Sequence, residues 1–100
     1  MVLHGVQLDP NAIAEFCRRH DVARLQVFGS ILGDEFNDDS DVDLLIEFRK
    51  GKRIGLLGLS ALELELSRLI GRKVDLRTPN DISRHFRARV MAEAQVQYAS

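Results

Sequence analysis

The sequence predicts a small α/β domain, and three observations carry that prediction. Apolar spacing switches along the chain between the helical and the strand period, in the order helix, strand, turn, strand, helix, strand, helix. Small or helix-breaking residues, Gly29-Ser30, Gly71 and Thr78-Pro79, fall where the period changes. The chain has 100 residues with 45% hydrophobic and 29% charged side chains, enough for one core spanning residues 1–100 and too little for a second domain. Three strands are the fewest that could carry a site on one face of a sheet while helices cover the other.

Residues 1–8 are too short and mixed to assign beyond a lead-in. Asp9-Pro10 then reads as a helix start, with Asp9 as N-cap and Pro10 at the first helical position, where its missing donor costs nothing. Ile13, Phe16 and Cys17, with His20 at the end, fall on one face, and Glu15, Arg18 and Arg19 face out. On that stripe Cys17 is a small buried hydrophobe, not a reactive thiol. Residues 23–28 form the first strand and 29–35 a turn with one helical turn. The second strand enters at Asp41-Val42-Asp43 and runs to Phe48, followed by a basic connection, Arg49 to Arg53, read as solvated surface. From Leu56 to Ile70 the residues Leu59, Leu62, Leu66, Leu69 and Ile70 make one helical stripe, closed by Gly71. Leu56, Leu57 and Leu64 lie off it, which fits either a partner surface or extra core under the flanking loops. Arg72 to Arg77 is a short strand stopped by Thr78-Pro79, with Val74 and Leu76 on one face and Asp75 on the other, where it fits either a salt bridge to Arg72, Lys73 or Arg77 or a metal site, the second being the favoured reading. Asn80 or Asp81 caps a last helix in which Ile82, Phe86, Val90 and Ala94 recur every four residues, reaching toward a packing Tyr98.

The chemistry concentrates in a few of these positions. At Gly29-Ser30 a missing side chain lets backbone N–H groups approach an anion and a hydroxyl adds a donor, the outline of a phosphate cradle. Asp41 and Asp43 are two apart at a strand start, so both carboxylates reach one side, roughly 6.5–7 Å apart at the backbone. Six acids between Asp34 and Asp43 with no basic residue repel one another unless cations intervene; Asp34, Glu35 and Asp38 read as a solvated loop, Asp41 and Asp43 as metal ligands. A calcium loop counted from Asp39 fails, because Leu44 and Lys50 occupy the positions that need Gly and Glu. Mg²⁺, as a pair of ions on a triphosphate, fits better: it can activate a hydroxyl and neutralise departing pyrophosphate, so the implied reaction is nucleotidyl transfer. The histidines lack ligand spacing, and a net charge of −1 argues against a long nucleic-acid partner. One cysteine, no membrane-length apolar run and no signal-peptide pattern at Met1 to His4 point to the cytoplasm, where ATP and Mg²⁺ are available.

Gly29-Ser30, ten intervening residues, Asp41-x-Asp43, and a separate strand acid in Val74-Asp75-Leu76 resemble the signature of the polymerase-beta-type nucleotidyltransferases. Within that superfamily the short chain resembles the minimal nucleotidyltransferases, antitoxins encoded beside a helical HEPN-type toxin. The resemblance implies a polymerase-beta-like mixed sheet and Asp75 as third carboxylate, serving as base or second-metal ligand. It also implies ATP as donor and a tyrosine of the HEPN partner as acceptor. A different class of function keeps the fold without the chemistry: a binding module that neutralises the partner by covering it, with homo- or hetero-oligomerisation left open. Transfer to a small molecule usually needs a further substrate-binding domain. One departure stands out. Many relatives carry arginines and a further glycine just after the Gly-Ser, where this chain has Ile31, Leu32, Gly33, Asp34 and Asn37; Lys52 or Arg53 is the expected substitute cation.

Overall fold

In the computed structural model, which describes residues 2–100, the first helix begins where its capping chemistry puts it. The Asp9 carboxylate accepts from the N–H groups of Asn11 and Ala12 at 2.9 and 3.4 Å, and Pro10 opens α1 (Pro10–Arg19). Ile13, Phe16 and Cys17 are its buried residues. Burial pushes the Cys17 thiol up to about 12, so it stays an inert apolar side chain. Ahead of α1, the lead-in is structured after all: β1 (Val2–Leu3) and β2 (Val6–Gln7) pair antiparallel around His4 and Gly5, both in the left-handed region at φ 50° and 79°. That two-residue loop is the geometry favoured by hairpins, and the His4 ring lies 5.5 Å from Phe36.

The main sheet has four strands in the order β5-β4-β3-β6. β3 (Val22–Phe28) is antiparallel to β4 (Val42–Phe48) and to β6 (Gln95–Ala99), while β4 and β5 (Val74–Arg77) are parallel, which makes the sheet mixed. The fourth strand corrects the expected count of about three. Residues 95–99, expected to prolong the last helix toward Tyr98, instead pair with the open edge of β3. Ala94 turns the chain out of the helix at ψ 144°, and sheet hydrogen bonding at an unpaired edge outweighs the weak helical pattern. The helix start also differs. Asn80 and Asp81 lie in a short 3₁₀ turn (Pro79–Asp81), Ile82 is extended and buried, and Ser83 caps α3 (Arg84–Glu93), which buries no residue of its own.

Alternation along the strands divides the sheet into two faces. Leu25 and Val27, Val42, Leu44 and Ile46, and Val74 and Leu76 join α1 and α2 (Leu56–Ile70) in one core through Phe16, Leu62, Leu66 and Ile70. Each fully buried Leu or Phe there stabilises the fold by roughly 1.5–3 kcal/mol. Arg24, Gln26, Phe28, Asp43, Leu45, Glu47, Asp75 and Arg77 alternate to the opposite face. Helix α1 lies over β3 and β6, α2 lies along β5, and Glu65 of α2 ties the two helices through Arg19 at 3.0 Å and His20 at 3.2 Å. Gly71 closes α2 in the left-handed conformation. Leu56 and Leu57 are 83% and 89% exposed, which decides for a surface patch over extra core. No helix among the described residues is long and apolar enough to cross a membrane.

Strand β5 is an edge, and α2 completes its hydrogen bonding. The Val74 N–H donates to the Ser67 hydroxyl at 3.0 Å and the Leu76 N–H to a Glu63 carboxylate oxygen at 2.8 Å; Ser67 in turn donates to the Glu63 carbonyl. The strand that carries Asp75 is thereby fixed to a helix as well as to β4. Ser67→Ala should leave the Val74 N–H without a protein partner and cost about 1–3 kcal/mol, read as a lower urea midpoint at unchanged slope. An unchanged midpoint would contradict this role.

Candidate active site

Strand pairing, not loop conformation, brings the acids together. Phe28, the last residue of β3, is opposite Asp43, and Asp43 is opposite Asp75 across the parallel β4/β5 ladder. Neighbouring strands lie about 4.8 Å apart, so side chains at paired positions on one face meet. Asp41 sits just before β4, where the Val42 N–H donates to the Lys73 carbonyl at 2.8 Å. The preceding loop is latched by Arg72, which donates to the Asn37 and Ser40 carbonyls at 3.0 and 2.7 Å and lies 4.7 Å over the Phe36 ring. Ser40 also accepts from the Asn37 N–H, so the approach to Asp41 is held at both ends.

Gly29 is required by two separate constraints. Its φ of 77° is in the left-handed region, and a Cβ at this position would collide with the Asp43 carboxylate. The turn backbone therefore lies directly against the central acid. Residues Gly29–Leu32 form a 3₁₀ turn that buries Ile31 in the core and leaves Ser30 partly exposed beside Gly29. Ile31 does a packing job where relatives are expected to carry a phosphate cation.

The electrostatics centre on Asp43. Burial pushes its carboxyl up to about 6, the Asp75 charge pushes the same way, Arg77 opposes it, and Asp41 adds a smaller upward push. Asp75 is gripped by Arg77, with Nη2 3.2 Å and Nε 3.4 Å from its two oxygens, and this bond holds the guanidinium above its usual value. Lys73 is 3.8 Å from Asp41 but 81% exposed, a pair worth little in water. Asp34, Glu35, Asp38 and Asp39 are exposed, as a solvated loop should be.

The structure thus brings Gly29, Asp41, Asp43 and Asp75 to one end of the sheet. It does not bring Lys52 there. Lys52 follows β4 and lies 3.7 Å from Asp21, at the far end of a strand about 20 Å long, so it cannot replace the missing arginines. Arg77 is the cation that grips Asp75, while Lys73 pairs more loosely with Asp41. Arg77 was legible as a same-face neighbour two residues from Asp75. Arg72, Ser67 and Glu63, by contrast, act through contacts that no local pattern announces.

Asp41, Asp43 and Asp75 offer only carboxylate oxygens, the donor type of a hard cation such as Mg²⁺. Among the described residues no group of three acidic, His or Cys side chains forms a ready metal cage. The donor set fits an ion that shares its coordination with waters and substrate phosphates, which is how Mg²⁺ is usually held.

Comparison with known proteins shows the family and the fold. The family model described as a nucleotidyltransferase domain matches residues 10–97. A protein of Methanocaldococcus jannaschii that bears a protein adenylyltransferase name is 40% identical over 76 residues, 76% of this chain and 80% of that protein. A solved minimal nucleotidyltransferase superposes with a TM-score of 0.69 at 36% identity, covering 85% of both chains. A chain from the complex of a tri-AMPylated Shewanella oneidensis HEPN toxin with an MNT antitoxin superposes at 0.66. It is 16% identical and the match covers 91% of this chain and 70% of that one, a likeness of fold.

A carboxyl raised from 3.8 to about 6 binds its proton more tightly folded than unfolded. Its stabilising contribution is present below the unfolded value and is lost as pH rises through about 6. In metal-free buffer Asp43→Asn should therefore melt a few degrees above the wild type at pH 8, with the gap closing toward pH 4. A gap independent of pH would show that burial does not strain this charge.

Proposed function

The chain belongs to the nucleotidyltransferase domain family as a minimal nucleotidyltransferase, and from that premise we propose that it transfers AMP from ATP to a protein hydroxyl. The acceptor we assign is a tyrosine of a cognate HEPN-type toxin, which makes the protein an antitoxin working in the cytoplasm. One observation carries the reading: Phe28, Asp43 and Asp75 lie side by side at one level of the sheet, and the Gly29 backbone that follows Phe28 packs against the Asp43 carboxylate. The relative named as a protein adenylyltransferase supports AMP as the transferred group, and the AMPylated toxin complex of similar fold supports the acceptor class.

In this reading the Gly29-Ser30 turn takes the β- and γ-phosphates on its N–H groups and hydroxyl. Asp41 and Asp43 would hold Mg²⁺, two ions on the triphosphate, which would polarise the α-phosphate and neutralise the departing pyrophosphate. Asp75, oriented by the Arg77 fork, receives the acceptor's proton. The hydroxyl oxygen bonds to the α-phosphorus as the bond from that phosphorus to the bridging oxygen breaks, and pyrophosphate leaves with the electron pair. A macromolecular acceptor suits the surroundings: the exposed Leu56 borders a cleft whose wall includes Asp75 and Arg77, so an apolar ledge leads to the acid that meets the hydroxyl.

A non-catalytic covering module is favoured by one feature, the neutralisation of Asp75 by Arg77 without a ready metal cage among the described residues. Labelled ATP, Mg²⁺ and the proposed HEPN-type partner separate the two readings. Wild type should label the partner, and Asp41→Ala/Asp43→Ala should reduce labelling at least about a hundredfold while still binding it. If both forms bind and neutralise the partner equally and neither labels it, the transfer reading is wrong.

A further inference from the structure

A cleft of about 300 Å³ opens between the end of β3 and α3, lined by Phe28, Gly29, Phe86, Arg89, Val90 and Glu93. We propose that this cleft receives the nucleobase of the nucleoside triphosphate, stacked against Phe86; the inference rests on the nucleotidyltransferase reading above and adds the place and chemistry of base recognition.

Helix α3 supplies the first argument. It buries no residue, and Phe86 is 61% exposed, so this ring is not part of the main core. The helix is held from its base, where Arg87 donates to the Pro79 carbonyl at 2.8 Å and to the Ile82 carbonyl at 3.2 Å. A helix anchored that way presents Phe86 and Val90 to an open space beside Phe28. Exposing a ring at that position costs hydration free energy in the empty protein, which a flat apolar occupant would recover.

Position and charge then select the occupant. The cleft shares Gly29 with the phosphate turn, so a nucleotide whose phosphates lie on Gly29-Ser30 has its base within reach of the two rings. Arg89 is already paired with Glu93 at 3.2 Å, which leaves the cleft close to neutral and argues against a phosphate inside it. An acceptor side chain is also a poor occupant. It must approach Asp75, on β5, whereas the cleft borders β3, with β4 between them. The volume is at the lower limit of small-molecule pockets, suited to one planar base. Aromatic stacking accepts any base through its π-face, so the ring supplies affinity more than selectivity.

The test is calorimetric titration of the full chain with ATP and, separately, with inorganic tripolyphosphate, both with Mg²⁺, for wild type, Phe86→Ala and Phe86→Tyr. Wild type should bind ATP more tightly than tripolyphosphate. Phe86→Ala should weaken ATP about tenfold and tripolyphosphate less than twofold, and Phe86→Tyr should keep wild-type affinity for both. Equal loss for the two ligands, or no loss for either, overturns the base subsite. Equal wild-type affinity for ATP and tripolyphosphate does so too, and leaves the transferase reading standing. A wild type that binds neither ligand overturns both.

Discussion

The structure depends on keeping one carboxylate, Asp43, partly out of water between a glycine and another acid. Burial and the Asp75 charge both press it toward its protonated form, and a lone carboxylate so placed opposes folding. The fold tolerates that because the opposite face of the same strand is among the best buried parts of the molecule, with Val42, Leu44 and Ile46 at 0–1% exposure. Strand alternation ties the two faces together: packing Val42 and Leu44 inward fixes Asp43 outward. A cation and a triphosphate would relieve the repulsion that the core imposes, which is why strain at this position reads as function.

Other parts of the chain serve that arrangement from a distance. Ser67 and Glu63 satisfy the outer N–H groups of β5 and so hold Asp75 at the level of Asp43. Arg72 does the same for the loop before Asp41, and its stacking on Phe36 links that loop to the amino-terminal hairpin through His4. Arg77 opposes the acids from within their own face, two residues along β5 from Asp75. Among the described residues its fork on Asp75 is a shorter contact than that of Lys73 on Asp41.

Much of this was legible in the sequence, and the limits have physical causes. The first helix, the strand ending at Phe28, the Gly-Ser turn and the facing acids were readable because each rests on local chemistry: a cap, a period, a position where only glycine fits. The hairpin before Asp9 was missed because two-residue strands show no period, and its signal, Gly5 in the left-handed region after His4, is a single residue. The last strand was missed because Gln95 to Ala99 becomes a strand only through the free edge of β3, a tertiary fact that overrides a weak helical repeat. Ile82 misled for the same reason: it is buried by its place after the 3₁₀ turn, not by a helical face. Of the candidate site, the acids and the turn could be named from residue type and spacing, whereas the cleft beside α3 depends on where the helix is propped.

The central claim is that Gly29-Ser30 and the three acids form one nucleotide and metal site at the end of β3 and β4. The most direct measurement is a crystal structure with a non-hydrolysable ATP analogue and Mn²⁺ in place of Mg²⁺, using anomalous scattering to locate the metal. The account predicts a manganese peak in contact with both Asp41 and Asp43, and β- and γ-phosphates on the Gly29-Ser30 turn. A nucleotide bound elsewhere, or a fully occupied nucleotide whose metal touches neither carboxylate, would contradict it.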